Sequence, residues 1–311
     1  MLAPLMLALS QNPKELIESL PTQEVDTSYV NLDQGRLSIR TFIVFKNQSF
    51  RLLNNDYGLK YAPNNRFGVG VGFAYYPLLL DFALNLKLVK ENASTRMDLQ
   101  GQLLAKKTLF SAHLQNYNGF NVSGSNMSES LFRPDISTYA VGGAALRVFN
   151  AEKVSLRSVL SGGAEQKRSM GSFAMGGGIS FNGMKADSSI IPTSQQGYFN
   201  EQARITKTFG FTASIQGGYA GVLVLPRGFF AYGSVIPGIG LSIKKINSSE
   251  TYFPKNPLSM QIDFQFSVGY NDSKIYSTIG WVNNVSGSSL DFGNRIRGNT
   301  GRLKWVVGFK L

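Results

Sequence analysis

Large apolar side chains alternate with small or polar ones in run after run along this chain. The clearest run is FGVGVGFAY at 67–75, where every second residue is bulky and the residues between are glycine or alanine. A period of two is that of a β-strand, because successive side chains of a strand point to opposite faces of its sheet. The chain is therefore predicted to consist almost entirely of strands.

Fourteen segments fit this pattern, and several are weak enough that twelve strands fit equally well. The clearest are 37–45, 67–75, 78–88, 258–268 and 303–311. The weaker ones are 52–61, 96–104, 108–118, 137–149, 153–164, 171–182, 204–221, 228–243 and 274–283. Turn-forming breaks such as APNN at 62–65 separate them. Longer polar loops are expected near 121–135, 184–202, 244–257 and 284–300.

Two environments produce such alternation, a lipid bilayer around a barrel or water around a soluble sheet. A strand tilted across a bilayer needs about 9–11 residues, with lipid-facing apolar side chains alternating with lumen-facing ones. The second face of these runs carries glycine, serine, amides and charges, which suits a polar interior. The sequence thus predicts an all-β fold, a transmembrane antiparallel up-and-down β-barrel of about 12–14 strands over residues 36–311. A soluble all-β protein is the alternative.

The two ends of the chain add to this prediction. Residues 2–9, LAPLMLAL, resemble the apolar region of a signal peptide, with cleavage expected after Ser10. Residues 1–10 would then be a signal peptide remnant and 11–35 an N-terminal periplasmic segment with one short helix in NPKELIESLP; a buried terminal strand or helix is the alternative. The last run resembles the terminal strand of bacterial outer-membrane barrels, although it ends in Leu311 rather than an aromatic residue. The predicted location is the outer membrane of a Gram-negative cell.

Composition narrows the possible chemistry. The chain has 311 residues, no cysteine and one histidine, so disulfides and cysteine-based metal sites are excluded and no cofactor is expected. The net charge is +12, but the basic residues are scattered rather than clustered in runs. This distribution argues against a nucleic-acid partner and favours anionic lipid or an anion-selective passage. The partners expected are outer-membrane lipid and lipopolysaccharide, with an outer-membrane protein as a further possibility.

Several sequence blocks resemble a known family. They are YAPNNRFGVGVGF (61–73), QNYNGFNV (115–122), FRPDIST (132–138), RVFNAEKVSLRSV (147–159), EQKRSMGSF (165–173) and DSSIIP (187–192). In this order they resemble the Bacteroidota outer-membrane family of domain of unknown function 4421, over about 26–311. The resemblance implies an outer-membrane barrel and no established activity.

Candidate catalytic motifs are weak. GVGVG at 68–72 lacks the spacing of a dinucleotide fingerprint and continues as a strand, so its glycines are interpreted as room in the lumen or bends in the sheet. His113 has Ser111 on the same strand face, about 6.5–7 Å away along the backbone, which is too far for an easy hydrogen bond. A serine on a neighbouring strand is the remaining route to a hydrolase. Otherwise His113 lines the lumen.

Charged and polar residues opposite the apolar faces are the main candidate site. The residues predicted to line the lumen are Arg40, Asp81, Asn85, Lys87, Asp98, His113, Arg147, Arg157, Asp263 and Lys304. Charges shielded from lipid must be paired or hydrated. They therefore form either an ion-paired interior that plugs the barrel or a water-filled, mildly anion-selective passage. Lys167 and Arg168 in QKRSMGS are interpreted as a solvated turn, or else as a site for lipopolysaccharide phosphates or a partner protein.

Three functions follow from this reading. The leading one is a porin-like conduit for small polar solutes, which requires an open lumen. The alternative is a non-conducting structural subunit of an outer-membrane assembly, which requires a plugged lumen. A membrane-embedded lipid hydrolase that depends on His113 is third, and otherwise the protein is expected not to be an enzyme.

Overall fold

The computed structural model describes residues 24–32, 37–55, 57–75, 78–86 and 92–311. The predicted signal peptide and the helix in NPKELIESLP lie outside the described residues. Within them, one α-helix, α1, spans Leu156–Ser161, and three short 3-10 helices span Thr193–Tyr198, Glu201–Ala203 and Pro226–Gly228. None of the helices in the described ranges has the length and apolar character needed to cross a bilayer.

Strands make up most of the described chain. In order, they are β1 (Val30–Leu32), β2 (Ser38–Asn54), β3 (Tyr57–Ala62), β4 (Phe67–Tyr75), β5 (Leu78–Asn85), β6 (Thr95–Ala105), β7 (Thr108–Gly124), β8 (Leu131–Val148), β9 (Ala164–Gln166), β10 (Met170–Lys185), β11 (Lys207–Val224), β12 (Phe229–Asn247), β13 (Thr251–Tyr252), β14 (Leu258–Asn271), β15 (Ile275–Ser289) and β16 (Asn294–Lys310).

Twelve of the described strands close into an antiparallel ring. Neighbours along the chain pair with each other from β4 to β8, β8 pairs with β10, and β10 to β12 and then β14 to β16 continue the ring. The pairing of β16 with β2, and of β2 with β4, completes it. Closure gives every strand of the described ring a neighbour on both sides, as a barrel in lipid requires. The β5–β6 pairing is the shortest and covers only Leu78–Asp81 against Gln100–Leu103. The all-β barrel prediction is confirmed, with the lower of the two predicted strand counts.

In the five clearest runs, the apolar face of the described residues points outward. In β4 the five bulky residues of FGVGVGFAY are exposed and the glycines and alanine between them face the interior. The same alternation continues around the ring, with exposed side chains such as Ile43, Ile215, Leu241 and Trp305. An apolar outer surface on a closed ring of tilted strands is that of a transmembrane barrel.

Two predicted strands are wrong. Segment 52–61 is not one strand, because β2 ends at Asn54 and a separate strand, β3, begins at Tyr57 and pairs back with it. Segment 153–164 contains α1, and its side chains are buried on almost every position, so it lacks the half-exposed alternation of a barrel strand. Because 52–61 does not count as a separate barrel strand, the connection within 121–135 lies at the end of the barrel opposite the start of β2.

Several strands are longer than their apolar runs predicted. Strand β7 reaches Gly124 and β8 begins at Leu131, while β15 and β16 extend to a short turn at 290–293. The long polar loops expected at 121–135 and 284–300 are therefore mostly strand. The outward side chains of β16 in this part are polar because the strand end extends beyond the apolar belt, as at Arg295 and Arg297.

Strands β3 and β4 act as one interrupted strand. Before the break at 63–66, β3 pairs with β2 and β7. After the break, β4 pairs with β2 and β5. The β5–β6 hairpin therefore widens only the end of the barrel at which β2 begins and β16 ends. We call this the lower end and the opposite one the upper end. Apart from 149–169, the described connections of the lower end are two to four residues long, whereas those of the upper end include 125–130, 186–206 and 248–257. Because outer-membrane barrels keep short turns in the periplasm and long loops outside, we infer that the upper end is extracellular.

Candidate functional site

The interior of the barrel is the candidate site, and its upper mouth is filled by the chain itself. Residues 186–206, here called the upper plug, place Ile190, Ile191 and Ile205 in one buried cluster with inward side chains of the strands. The Tyr61 hydroxyl donates to the carbonyl of Ile190 at 3.1 Å. Each of these isoleucines is about 1% exposed, so the upper mouth has an apolar core rather than an opening.

An ion pair on the wall strand β8 holds the upper plug through hydrogen bonds. The Arg133 guanidinium binds the Asp135 carboxylate at 2.7 Å and donates to the carbonyl of Ser189 at 3.0 Å. The Asp135 carboxylate in turn accepts from the backbone N–H of Asp187 at 3.2 Å. The blocks FRPDIST and DSSIIP therefore form a single structural unit.

The lower mouth is filled by residues 149–169, here called the lower plug. Leu156 and Val159 of α1 pack in one buried cluster with the inward side chains Ala174, Phe230 and Tyr232. Helix α1 begins at Ser155, whose side chain accepts from the N–H of Ser158 as an N-cap. It ends at Gly162, whose positive φ of 64° favours glycine.

Hydrogen bonds hold the lower plug in place. Inward Arg40 donates to the carbonyl of Leu160 at 2.7 Å, and inward Asn271 donates to that of Ala164 at 2.6 Å. The Gln166 amide accepts from the N–H of Ser155 and donates to the carbonyls of Lys153 and Arg168. Strand β9 also pairs with β1, which ties the N-terminal segment to this plug.

A layer of charged side chains lies between the two plugs. Asp81 binds both Arg40, at 2.5 Å, and Lys304. Asp98 binds Lys46 at 2.7 Å and accepts from the Tyr117 hydroxyl at 2.9 Å. We call these residues, with Arg96 and Arg302, the charged layer.

The charged layer connects the plugs and is basic. Arg40 reaches the lower plug, whereas Tyr117 belongs to the buried upper cluster. Among the described residues, the layer has five cations against two carboxylates. Arg302 faces the interior and makes no hydrogen bond or ion pair with a described residue. Charges shielded from lipid need counter-ions or water, and the two carboxylates balance only part of this charge.

Most of the predicted lumen-lining residues lie on inward positions. Arg40, Asp81, Asp98 and Lys304 meet in the charged layer, and Asn85 donates to the carbonyl of Arg96 at 2.7 Å. Asp263 lies on another part of the ring and accepts from Asn284 at 2.7 Å. Lys87 lies outside the described residues.

Two of the predicted positions are corrected. Arg147 is exposed on the outer face of β8, opposite outward Met175 in the register. The sequence does not show which face of the strand carries Arg147, because small residues occupy both faces of the segment GGAAL before it. Arg157 is buried, but on α1 within the lower plug rather than on a strand.

His113 is inward and half-buried, and its ring lies over Gly142. A Cβ at Gly142 would lie 2.7 Å from Cε1 of His113. In the described residues, no hydrogen bond joins His113 to a serine hydroxyl or a carboxylate. A hydrolase centred on His113 therefore stays an untested hypothesis.

Lys167 and Arg168 lie at the lower end against the N-terminal segment. Lys167 donates to the carbonyl of Thr27 at 3.1 Å, and the Arg168 guanidinium lies 5.7 Å from the Tyr29 ring. Sequence reasoning missed other members of the charged layer, namely Lys46, Arg96, Tyr117 and Arg302. Lys46 lies an even number of positions from Arg40 on the same strand, and Arg302 lies two positions from Lys304. This spacing places each pair on one face of its strand and would have identified Lys46 and Arg302 from the sequence.

Comparison with solved structures finds outer-membrane barrels with low sequence identity. The outer membrane protease OmpT from Escherichia coli is 8% identical with a TM-score of 0.39, and the match covers 90% of this chain and 98% of that one. The beta domain of the Bordetella autotransporter BrkA is 8% identical with a TM-score of 0.38, covering 91% and 98%. The COG4313 outer membrane channel from Pseudomonas putida F1 is 9% identical with a TM-score of 0.36, covering 93% and 100%.

These three proteins, a protease, an autotransporter domain and a channel, share no activity that could be carried over. No curated protein matches the sequence. The closed ring and its apolar outer belt place the protein in the outer membrane, where such barrels reside. A family model matches residues 24–310, and the chain therefore belongs to the family described as Domain of unknown function (DUF4421).

Proposed function

We propose that the protein is a non-conducting structural barrel of the outer membrane. The observation that carries this proposal is that its own chain fills both mouths with buried apolar clusters. A hydrated ion loses its water only at a large free-energy cost in an apolar constriction, so either plug alone is a barrier. A structural role in an assembly also implies a protein partner, which blue native electrophoresis of gently solubilised membranes would reveal as a complex larger than the monomer.

Planar-bilayer conductance tests the sealed lumen. Four proteins are compared after heat-modifiable gel mobility has shown each to be folded: wild type, a variant with 187–204 replaced by a short Gly/Ser linker, one with 151–163 so replaced, and one with both replacements. We expect steps from the double replacement alone, because each plug seals the lumen independently. Discrete steps from wild type would contradict the proposal.

A gated conduit for small anions is the second candidate function. The excess of cations in the charged layer favours it, because fixed positive charge attracts anions and repels cations. This candidate predicts rare openings of the wild-type protein, with a reversal potential in a salt gradient on the anion-selective side. The structural proposal predicts no openings of the wild type at any voltage that the bilayer tolerates.

A further inference from the structure

A groove runs along the outer surface of the barrel across β8, β10, β11 and β12. Its volume is about 980 Å³, and its floor consists of small residues such as Gly143, Gly177 and Ala213. Its sides are the outward side chains of Phe110, Val141, Phe181, Ile215 and Leu241. Ile215 and Leu241 are 60% and 62% exposed, so the groove opens toward the lipid. An apolar channel within the lipid-facing belt has the shape and polarity of an acyl-chain site.

Three lysines face outward just above this groove. Lys185 and Lys207 lie directly opposite each other on β10 and β11, and Lys245 on β12 lies opposite Phe209. Lys185 and Lys245 follow the groove residues Phe181 and Leu241 of their strands by four positions. Lys207 precedes the groove residue Ala213 of β11 by six positions. All three are exposed, and their amines make no ion pair or hydrogen bond with a described residue.

This arrangement costs free energy unless an anion is present. Like charges directly opposite on antiparallel strands repel each other, and diagonal neighbours about 7–8 Å apart add to the repulsion. The lysines lie at the upper edge of the apolar belt, which is the extracellular side. The head groups of the outer leaflet therefore lie at the height of these amines, with acyl chains at the height of the groove.

We propose that the groove and the three lysines bind a phosphorylated, multiply acylated lipid of the outer leaflet, lipopolysaccharide. Its phosphates accept from Lys185, Lys207 and Lys245, and one acyl chain lies along Gly143, Gly177 and Ala213. The continuity of the two features on the same strands favours a lipid over an acidic protein, because a protein would use the lysines and leave the groove empty. This site is on the outer surface and does not depend on whether the lumen conducts.

The test measures binding of bisphosphorylated lipid A to the folded, detergent-solubilised barrel by native mass spectrometry. We expect the variant Lys185→Gln, Lys207→Gln, Lys245→Gln to bind about hundredfold more weakly than wild type, since each lysine near a charged membrane surface contributes about 1 kcal/mol. Removal of both phosphates from the lipid should weaken binding to wild type by a similar factor. The matched control neutralises three exposed cations of the lower-end turns, Lys106, Arg227 and Lys274, and should bind as wild type does.

The groove is tested by Ala213→Phe, which fills its floor, with Ala231→Phe as an outward control away from the groove. We expect Ala213→Phe to weaken binding at least tenfold and Ala231→Phe to leave it unchanged. Heat-modifiable mobility verifies that every variant is folded. The proposal is overturned if the triple lysine variant binds as tightly as wild type, or if lipid without phosphates binds equally well. Wild-type affinity of Ala213→Phe would overturn the groove as the acyl-chain site.

Discussion

At the scale of single residues, the inward glycines of β4 make room for the larger side chains of their neighbours. A Cβ at Gly70 would overlap the ring of Phe42, and one at Gly72 would overlap the Asp81 carboxylate. The alternation of the sequence predicts which face is inward, but it cannot say which neighbour needs the space, because register across strands is set by the whole ring. The glycines of GVGVG thus have a packing role, as the sequence indicated.

Replacing Gly72 by alanine tests this packing. The new Cβ would lie 2.8 Å from the carbonyl oxygen of Leu80 and 3.0 Å from Nε of Arg40, so the Arg40–Asp81 pair must move. We expect a loss of about 1–3 kcal/mol in the free energy of unfolding, the usual cost of overpacking. Urea titration in lipid vesicles, followed by tryptophan fluorescence, measures it. Gly101→Ala is the control, since nothing lies within 4 Å of its Cβ. Equal stability of the two variants would refute the packing role.

Asp81 and Asp263 are two interior carboxylates that differ in their partners, so their substitutions can be compared directly. Asp81 binds two cations, whereas Asp263 accepts only from Asn284 among the described residues. Asp81→Asn leaves two shielded cations without their counter-charge and should cost about 3–5 kcal/mol. Asp263→Asn removes a charge that has no cationic partner, and we expect a smaller loss or a gain. The same urea titration compares them, and a larger loss for Asp263→Asn would contradict the charged layer as described.

At the scale of elements, four of the six sequence blocks that resemble the family meet at the two plugs. FRPDIST and DSSIIP meet at the upper mouth, and RVFNAEKVSLRSV and EQKRSMGSF form the lower plug. Periodicity could not predict them, because a buried segment has no solvent-facing or lipid-facing side to alternate. For that reason 153–164 has the apolar content of a strand and folds instead as a loop with α1.

Gln166 holds the lower plug through three bonds to main-chain groups, at 2.7–2.9 Å. Gln166→Leu keeps a similar volume and leaves the N–H of Ser155 without its acceptor. We expect faster hydrogen exchange of the backbone amides in 150–168, with no change in the barrel strands, because the ring does not depend on this amide. Exposed Glu165→Leu is the control on the neighbouring position. Unchanged exchange in Gln166→Leu would show that the plug is held by its apolar contacts alone.

Tyr252 links three upper loops, because its hydroxyl lies 3.1 Å from the carbonyl oxygen of Leu290 and 3.4 Å from that of Gln202, and shares its one proton between them. Burial, with the Asp291 carboxylate adding to it, raises the pKa of Tyr252 to about 12 from its ordinary value of 10.0. A raised pKa means that the phenol's contribution to stability is complete below pH 10.0 and is lost as the pH rises to about 12.

Ultraviolet difference titration of wild type against Tyr252→Phe checks this prediction. The difference isolates one phenol and should have its midpoint near pH 12, and the melting temperature should fall more steeply above pH 10.0 in wild type than in the variant. A midpoint near pH 10.0 would mean that the Tyr252 hydroxyl is solvated and does not hold the loops together.

At the scale of the whole molecule, the barrel and its location were predictable, and the two plugs in its mouths were not. Alternation is a local property of each strand, so fold class and outward face follow from it directly. The choice between a plugged and an open interior depends on where two segments of about 20 residues fold relative to the ring. The charges that the sequence placed inside fit either state, as the Asp81 and Asp98 pairs show, and only their contacts with the plugs distinguish the two.

The absence of cysteine in the native chain allows a direct measurement of solvent access to the interior. Ser214 faces the mid-lumen, whereas Ser128 and Ser273 are exposed at the upper and lower ends. Each is changed to cysteine, and the rate of modification by a charged thiol reagent is measured on the folded protein. A sealed barrel predicts that the cysteine at position 214 reacts at least a hundredfold more slowly than the other two. Comparable rates at all three positions would mean that water and ions reach the charged layer freely, and the sealed barrel would be contradicted.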